Sequence, residues 1–262
     1  MIKYIFIQLI MPSFTYKRLN ILDNIELFSS ENESDYFPFH YHDFYCISLI
    51  TNGTEILNNQ AQEFIAPSGS ISVTQLNEVH RNYSLVDTGY SYKTLYLSKS
   101  LLEFYNSGKE VAGLERIIDD KELFNNLLKL FYTDNCPLGQ WEKCLHTLVT
   151  HQSNPDQNNL WMNSFFHIDE IVDAHPNRPI DTEWLARKFG MSKYHFIREF
   201  KKAKGVTPQT YIMICRLGKT KKMLLENVPL ADVAYLNGFY DPSHFNNSFK
   251  KYFGITPGGY IG

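Results

Sequence analysis

Cysteine is scarce in this chain and is not arranged for use. The four cysteines among 262 residues, Cys46, Cys136, Cys144 and Cys215, fall at no metal-finger or framework spacing. That excludes a disulfide-stapled scaffold and points to a reducing cytoplasm. No apolar run reaches the ~18 residues that a membrane helix needs. No glycine-rich phosphate loop and no serine elbow occurs, so nothing points to nucleotide hydrolysis or nucleophilic catalysis, and no enzyme is expected. Positive charge is also not in excess: 25 Lys+Arg stand against 28 Asp+Glu, a net of −3. Such a balance would ordinarily argue against a nucleic-acid partner.

The balance conceals an asymmetry. Residues 1–163 carry 11 Lys+Arg against 19 Asp+Glu, a net of −8, and residues 164–262 carry 14 against 9, a net of +5. Opposite-sign halves fit an acidic sensing or interaction domain coupled to a cationic binding domain. The length suits two domains.

The cationic part is written twice. Leu185-Ala186, Gly190-Met191-Ser192, His195-Phe196, Phe200-Lys201-Lys202, Gly205-Val206-Thr207-Pro208 and Tyr211-Ile212 are answered by Val233-Ala234, Gly238-Phe239, His244-Phe245, Phe249-Lys250-Lys251, Gly254-Ile255-Thr256-Pro257 and Tyr260-Ile261. The offset is about 48 residues before the turn and 49 after it, the mark of an internal duplication. In the first copy Asp181 caps a short helix, Gly190 permits the positive φ that ends it, and Ser192 caps the next. Phe196 and Phe200 share one face of that second helix, while Lys193, Tyr194, Ile197, Arg198 and Lys201 project elsewhere. The second copy places Leu230, Val233, Ala234 and Leu236 before Gly238. Asp241 then caps a helix with Pro242 in its first turn, where a missing N–H costs nothing. Phe245 and Phe249 face inward; Ser243, His244, Asn246, Asn247 and Lys250 remain available. Each unit has the layout of a helix-turn-helix, with one buried and one polar face on the second helix. A capped helical bundle with no nucleic-acid role is the competing reading, and the duplication in register weighs against it. Pro208 to Glu226 reads as one connecting helix with Tyr211, Ile212, Cys215, Leu217, Met223 and Leu224 at its apolar positions.

Residues from about Phe166 to Ile261 resemble the DNA-binding domain of the AraC/XylS family of bacterial transcription regulators. The run Phe200-Lys201-Lys202, Gly205, Thr207-Pro208, Tyr211, Arg216-Leu217 carries the likeness. So does the closing Gly238-Phe239, Asp241, Ser243-His244-Phe245, Phe249-Lys250-Lys251, Phe253-Gly254-Ile255-Thr256-Pro257 and Tyr260. The resemblance implies base reading by Tyr194, Ile197 and Arg198 in the first unit and by Ser243, His244, Asn246 and Asn247 in the second. Lys201 and Lys202 are expected to neutralise DNA phosphates, and Lys193 and Lys250 complete the expected DNA-binding residues. The family usually has arginine where Asn247 stands, and the final helix is expected to be shortened and frayed at Gly258-Gly259-Tyr260-Ile261-Gly262.

The acidic part has a different pattern. Phe44–Ile50 runs into Asn52-Gly53, a hairpin signal, and Thr54–Leu57 follows; Ile71–Val73 and Tyr92–Ser98 are further β-rich runs. Two amphipathic stretches come next: Leu123, Phe124, Leu127, Leu128 and Phe131 after Asp119-Asp120, then Trp141, Leu145, Leu148 and Val149. The polar segment His151–Asn159 reads as a linker. The order His40-Tyr41-His42, Gly53, Pro67-Ser68-Gly69, His80 resembles the cupin-type sensing domain that precedes the DNA-binding part in many such regulators. The segment Met1–Pro12 resembles a weak signal sequence but is too short to span a membrane and lacks a cleavage site. A first strand and a misread start with Met11 as initiator are its other readings, and no targeting is assigned.

Three histidines in a barrel raise the question of a metal. His40 and His42 have the H-x-H spacing, and His80 arrives from elsewhere. Neither Glu55 nor Glu78 sits a few residues after His42, where a metal-binding cupin has its glutamate. The favoured reading is a ligand pocket in which His40, His42, Tyr45, His80 and Tyr96 bind a small polar effector, with Tyr83 and Tyr92 in the lining and no metal or cofactor. A metal-dependent oxygenase, and structural roles for the same residues, are the alternatives.

The expected architecture is α+β in two domains. Residues 1–150 form a cupin-like β-barrel or sandwich followed by helices, 151–163 a linker, and 164–262 an all-α domain of two helix-turn-helix units joined by a long helix. The expected function, which the resemblance implies, is a cytoplasmic, homodimeric, sequence-specific DNA-binding regulator. It would more often activate than repress and would work with double-stranded DNA, an effector and RNA polymerase.

Overall fold

The computed structural model describes residues 13–19, 21–22, 25–34, 38–133, 136–153 and 167–261. The segment Met1–Pro12 and most of the expected linker lie outside the described residues.

Among the described residues, nine strands build the N-terminal part: β1 (Ser13–Arg18), β2 (Glu26–Glu33), β3 (Tyr45–Asn52), β4 (Thr54–Asn58), β5 (Glu63–Pro67), β6 (Ile71–Thr74), β7 (Arg81–Ser84), β8 (Tyr90–Leu97) and β9 (Ile117–Ile118). Helix α1 (Lys99–Tyr105) separates β8 from β9, and α2 (Lys121–Tyr132) and α3 (Leu138–Leu148) follow. The strands form a six-stranded sheet, β1-β2-β8-β3-β6-β9, and a three-stranded sheet, β5-β4-β7. All described pairings are antiparallel.

Strand β3 shows how alternation divides the labour. Tyr45 to Ile50 are all buried, because both faces of the strand are covered. Tyr45, Ile47 and Leu49 join Leu95 and Leu97 in a core with Leu123, Phe124, Leu127, Trp141 and Leu145 from α2 and α3. Cys46 and Ser48 face the other way, into the space between the sheets, where the Ser48 and Thr94 hydroxyls meet at 2.7 Å. The large sheet therefore has an oily outer face under helices and a polar inner face. The two amphipathic stretches are helices as expected, and the Asp120 carboxylate caps α2 by accepting from the Leu123 N–H at 2.9 Å.

The Asn52-Gly53 signal marks something other than a hairpin. β3 pairs with β6 and β8, not with β4, so the chain changes sheets at this point. Gly53 has φ +72°, and a Cβ there would lie 2.8 Å from the Gly89 carbonyl oxygen. The glycine is needed for a tight corner between sheets. The hairpin comes one strand later, between β4 and β5, where the Asn59 side-chain oxygen accepts from the Ala61 and Gln62 N–H groups.

The C-terminal part is helical: α4 (His167–Ala174), α5 (Thr182–Lys188), α6 (Lys193–Lys204), α7 (Pro208–Leu225), α8 (Leu230–Leu236), α9 (Pro242–Phe253) and α10 (Pro257–Ile261). The duplication is visible in the backbone. α5 and α8 have 7 residues each, and α6 and α9 have 12 each. Gly190 and Gly238 end the first helix of each unit with φ +64° and +72°, and Gly205 and Gly254 end the second, both with φ +73°. Asp181, Ser192 and Asp241 cap as expected. Leu230 and Leu236 are exceptions, since α8 buries Val233 and Ala234 and leaves both leucines exposed.

Two aromatic stacks hold the units. Phe196 and Phe200 are fully buried with Leu185, Ile212 and Tyr211, and Phe245 and Phe249 with Leu217, Val233 and Tyr260. Each such side chain contributes about 1.5–3 kcal/mol by leaving water. α7, 18 residues and thus roughly 27 Å long, runs between the stacks. Its buried Arg216 donates to the Arg178 and Gly238 carbonyls, tying the loop before α5 to the turn after α8. Helix α10 is short, as expected, but Tyr260 is buried rather than frayed.

Candidate functional site

In the first unit, Lys193, Tyr194, Arg198, Lys201 and Lys202 of α6 are exposed and Ile197 is half-buried. Tyr194 is 85% exposed, an unusual position for an aromatic ring unless something else covers it. Arg198 lies against Glu199, with 3.3 Å between Nε and Oε1. In the second unit Ser243, His244, Asn247 and Lys250 are exposed and Asn246 is half-buried. The Asp241 carboxylate accepts from the His244 N–H at 2.7 Å, and the His244 ring stands edge-on to Phe239. Tyr240, absent from the expected DNA-binding residues, is the most exposed large side chain of this unit at 93%. Its position two residues after the turn glycine, beside the Asp241 cap, was the available signal. On both helices the polar face is solvent-facing and firmly backed by its phenylalanines. Arginine, lysine, asparagine, histidine and serine on such a face supply the donors and acceptors that phosphates and base edges take.

A second constellation lies between the two sheets. His40, His42, His80 and Tyr96 line one cavity together with Cys46, Ser48, Glu55, Asn82 and Tyr92, and its volume is about 60 Å³. His40 and His80 form a two-residue β-bridge, their backbones exchanging N–H···O bonds of 2.9 and 2.8 Å. Burial holds the His40 imidazole down to about 3 and the His80 imidazole down to about 4. His42 is also pushed well below the usual histidine range, first by burial and then by repulsion from the His40 and His80 imidazoles and the Lys221 ammonium. The rings are therefore neutral at physiological pH. Burial raises the Glu55 carboxyl, one oxygen of which accepts from the Asn82 amide at 2.7 Å.

Two expected lining residues are elsewhere. Tyr45 points to the opposite face of β3, where its hydroxyl donates to the Val111 carbonyl at 3.1 Å, because neighbours of Cys46 along a strand face away from it. Tyr45 lines a wider recess of about 490 Å³ on the outer side, with Lys99, Arg116, Gln62 and Gln75. Tyr83 lies at the rim of the small sheet and donates to Glu63 at 2.6 Å. Glu78 is also engaged elsewhere, pairing with Arg116 and accepting from Asn59.

The helical part completes the cavity, and no local sequence signal marks these residues. Tyr252, Phe253 and Gly254, at the end of α9, close its mouth, and the Phe253 ring stacks near His42 at 6.4 Å. The strip that carries the histidines alternates: His40 and His42 face the cavity, while Phe39 and Tyr41 pack against the first aromatic stack. Tyr41 stacks on Tyr211 at 5.1 Å, and its hydroxyl lies 2.9 Å from the Cys215 sulfur of α7.

Two family models match the chain: an AraC-like ligand binding domain over residues 24–155 and a helix-turn-helix domain over residues 185–262. The HTH-type transcriptional regulator YbfI of Bacillus subtilis is 27% identical over 241 residues, covering 84% of this chain and 86% of its own. The HTH-type transcriptional activator RhaS of Escherichia coli is 23% identical over 275 residues, covering 91% and 96%. Among solved structures, apo ToxT K231A of Vibrio cholerae superposes with a TM-score of 0.55 at 14% identity, over 90% of this chain and 96% of that one, a likeness of fold. No helix among the described residues is long and apolar enough to cross a membrane. A β-sandwich ligand-binding domain followed by a duplicated helix-turn-helix, matched by both family models, places this chain in the AraC family of DNA-binding transcription regulators.

Proposed function

We propose that the chain activates transcription from the cytoplasm as a homodimer that contacts RNA polymerase, reading DNA through α6 and α9 under the control of a small effector. The observation that carries this is the pair of equal, capped, glycine-turned units, each with an aromatic stack behind it and polar side chains in front. In this reading Tyr194, Ile197 and Arg198 meet bases in one groove, and Ser243, His244, Asn246 and Asn247 meet bases in the next. Lys193, Lys201, Lys202 and Lys250 neutralise phosphates. A connector of roughly 27 Å is commensurate with the ~34 Å groove repeat on one face of a gently bent duplex.

Activation is drawn from relatives that are named activators. Dimerisation fits the exposed Phe104, Tyr132 and Leu138 on α1, α2 and α3. The effector site is the cavity of His40, His42, His80 and Tyr96, enclosed by both parts of the chain, so that a ligand there shifts how α6 and α9 are presented. Genome-wide mapping of binding sites, with and without disruption of the regulated neighbours, tests this function. Enrichment at promoters whose transcription falls when the protein is removed supports activation, and a rise on removal would show repression.

A further inference from the structure

The cavity is too small for an ordinary organic effector. At about 60 Å³ it falls far below the roughly 300–1,000 Å³ of pockets that take drug-sized molecules. It does hold three imidazoles at very close quarters. The ring centroids of His40 and His80 are 4.4 Å apart, those of His40 and His42 4.7 Å, and those of His42 and His80 5.3 Å. One nitrogen from each ring lies within 4.8 Å of the other two.

The tautomers of two rings are set by the backbone. His40 donates from Nδ1 to the Pro38 carbonyl and His80 from Nδ1 to the Glu78 carbonyl, both at 2.8 Å. In both rings the lone pair is then on Nε2. An N–H held by a backbone carbonyl is the usual outer-shell support of a metal-binding histidine, fixing both tautomer and ring orientation. The β-bridge between the two residues fixes their backbones as well.

We propose that the sensor's ligand is a first-row divalent transition metal ion of the zinc class, bound by His40, His42 and His80 with one coordination position open to the cavity. Rested on the reading of this cavity as the effector site, the inference names the effector's chemistry. It revises the expectation that no metal binds, which stood on the missing glutamate. Three neutral imidazoles suffice for such a site without a carboxylate, as three protein ligands and a water make an open tetrahedral zinc centre. Metal–nitrogen bonds of ~2.0–2.1 Å set tetrahedral nitrogens about 3.4 Å apart, so closure from 4.8 Å asks for small ring shifts. Lys221, the cation facing His42, is paired with Glu26 at 3.2 Å and does not oppose the charge alone. The geometry also supplies an output. Drawing His40 and His42 together moves the strip whose Phe39 and Tyr41 pack on the first helix-turn-helix unit, and His42 lies beside Phe253 at the end of α9.

The test uses the full chain, stripped with a chelator and titrated with cobalt(II) and zinc(II). The expected result is one cobalt ion per chain with the intense visible spectrum of four-coordination, displaced by zinc. His80→Ala and His40→Ala should each weaken binding by roughly 100-fold or more, as loss of a ligand exceeds the 10–100-fold loss from its outer-shell support. Circular dichroism checks that both variants fold, and His42→Ala gives a third reading if either does not. A six-coordinate, water-like cobalt spectrum, or one bound metal retained by all three variants, would overturn the proposal. Specific DNA binding by the same preparation is scored separately. Metal binding without it would leave the site and remove the regulator reading; specific DNA binding without metal would do the reverse.

Discussion

The hydroxyl of Tyr260 donates to Oε1 of Glu26 at 2.8 Å, joining the end of the helical part to the second strand of the sandwich. Glu26 also takes Lys221 of α7 on its other oxygen at 3.2 Å. The Lys221 ammonium sits among Phe44, Tyr96, Phe253 and Tyr260, 4.7–5.7 Å from each ring centroid, so residues of both domains enclose one cation. Cations over aromatic faces are worth more when shielded from water. This contact ties α7 and α10 to the second strand of the sandwich.

Tyr260→Phe is therefore expected to loosen the two parts. Hydrogen bonds to charged groups are worth about 1.5–3 kcal/mol, enough to change the population of a docked state tenfold or more. Small-angle scattering should show a larger radius of gyration for the variant, with helix content unchanged. An unaltered profile would mean that the aromatic contacts alone hold the interface.

Arg198 and its neighbouring lysines should behave differently on DNA. Arg198→Ala is expected to cost about 1–3 kcal/mol on the specific site and to relax preference at one base pair. Lys201→Ala and Lys202→Ala should weaken binding to all sequences and reduce its salt dependence. Equal losses on specific and random DNA for all three variants would remove Arg198 from base reading.

The two turn glycines differ in their surroundings. A Cβ on Gly238 would lie 3.0 Å from the Arg216 guanidinium and 3.0 Å from the Pro176 carbonyl oxygen, whereas one on Gly190 meets nothing within 4 Å. Both have positive φ, so Gly190→Ala should cost only the left-handed penalty of about 1–2 kcal/mol, and Gly238→Ala should cost more. Denaturant titration measures both; equal costs would show that Arg216 yields freely.

Glu55 provides a pH signature. Burial raises its folded-state pKa above the unfolded value, so its contribution to stability is full below about 4.5 and is lost as pH rises through the folded pKa. Glu55→Gln keeps an acceptor for Asn82 and removes the ionisation. Relative to the variant, the native chain should lose melting temperature as pH rises above about 4.5. A constant difference over that rise would contradict a raised pKa.

The helical part was legible because its signals are local. Caps, turn glycines and i, i+4 phenylalanines act within one or two turns of chain, and a duplication states each of them twice. The sandwich was read less well. Asn52-Gly53 marks a corner rather than a hairpin, since neighbouring strand positions do not reveal which sheet the chain enters next. Hydropathy does not distinguish the two covered faces of β3, so it cannot show that Cys46 rather than Tyr45 takes the inner position. Tyr252, Phe253 and Gly254 at the cavity mouth are separated from His42 by about two hundred residues. Only the docking of the two parts brings them together, and no local pattern encodes it.

Binding-site selection with the full chain tests the central claim, that α6 and α9 read one duplex together. The selected sequences should carry two preferred segments about one helical turn apart, ~10–10.5 base pairs centre to centre. Arg198→Ala should erase preference in one segment, and His244→Ala or Asn246→Ala in the other. Selection that returns no preferred sequence, or a single segment insensitive to changes in α9, would contradict the account.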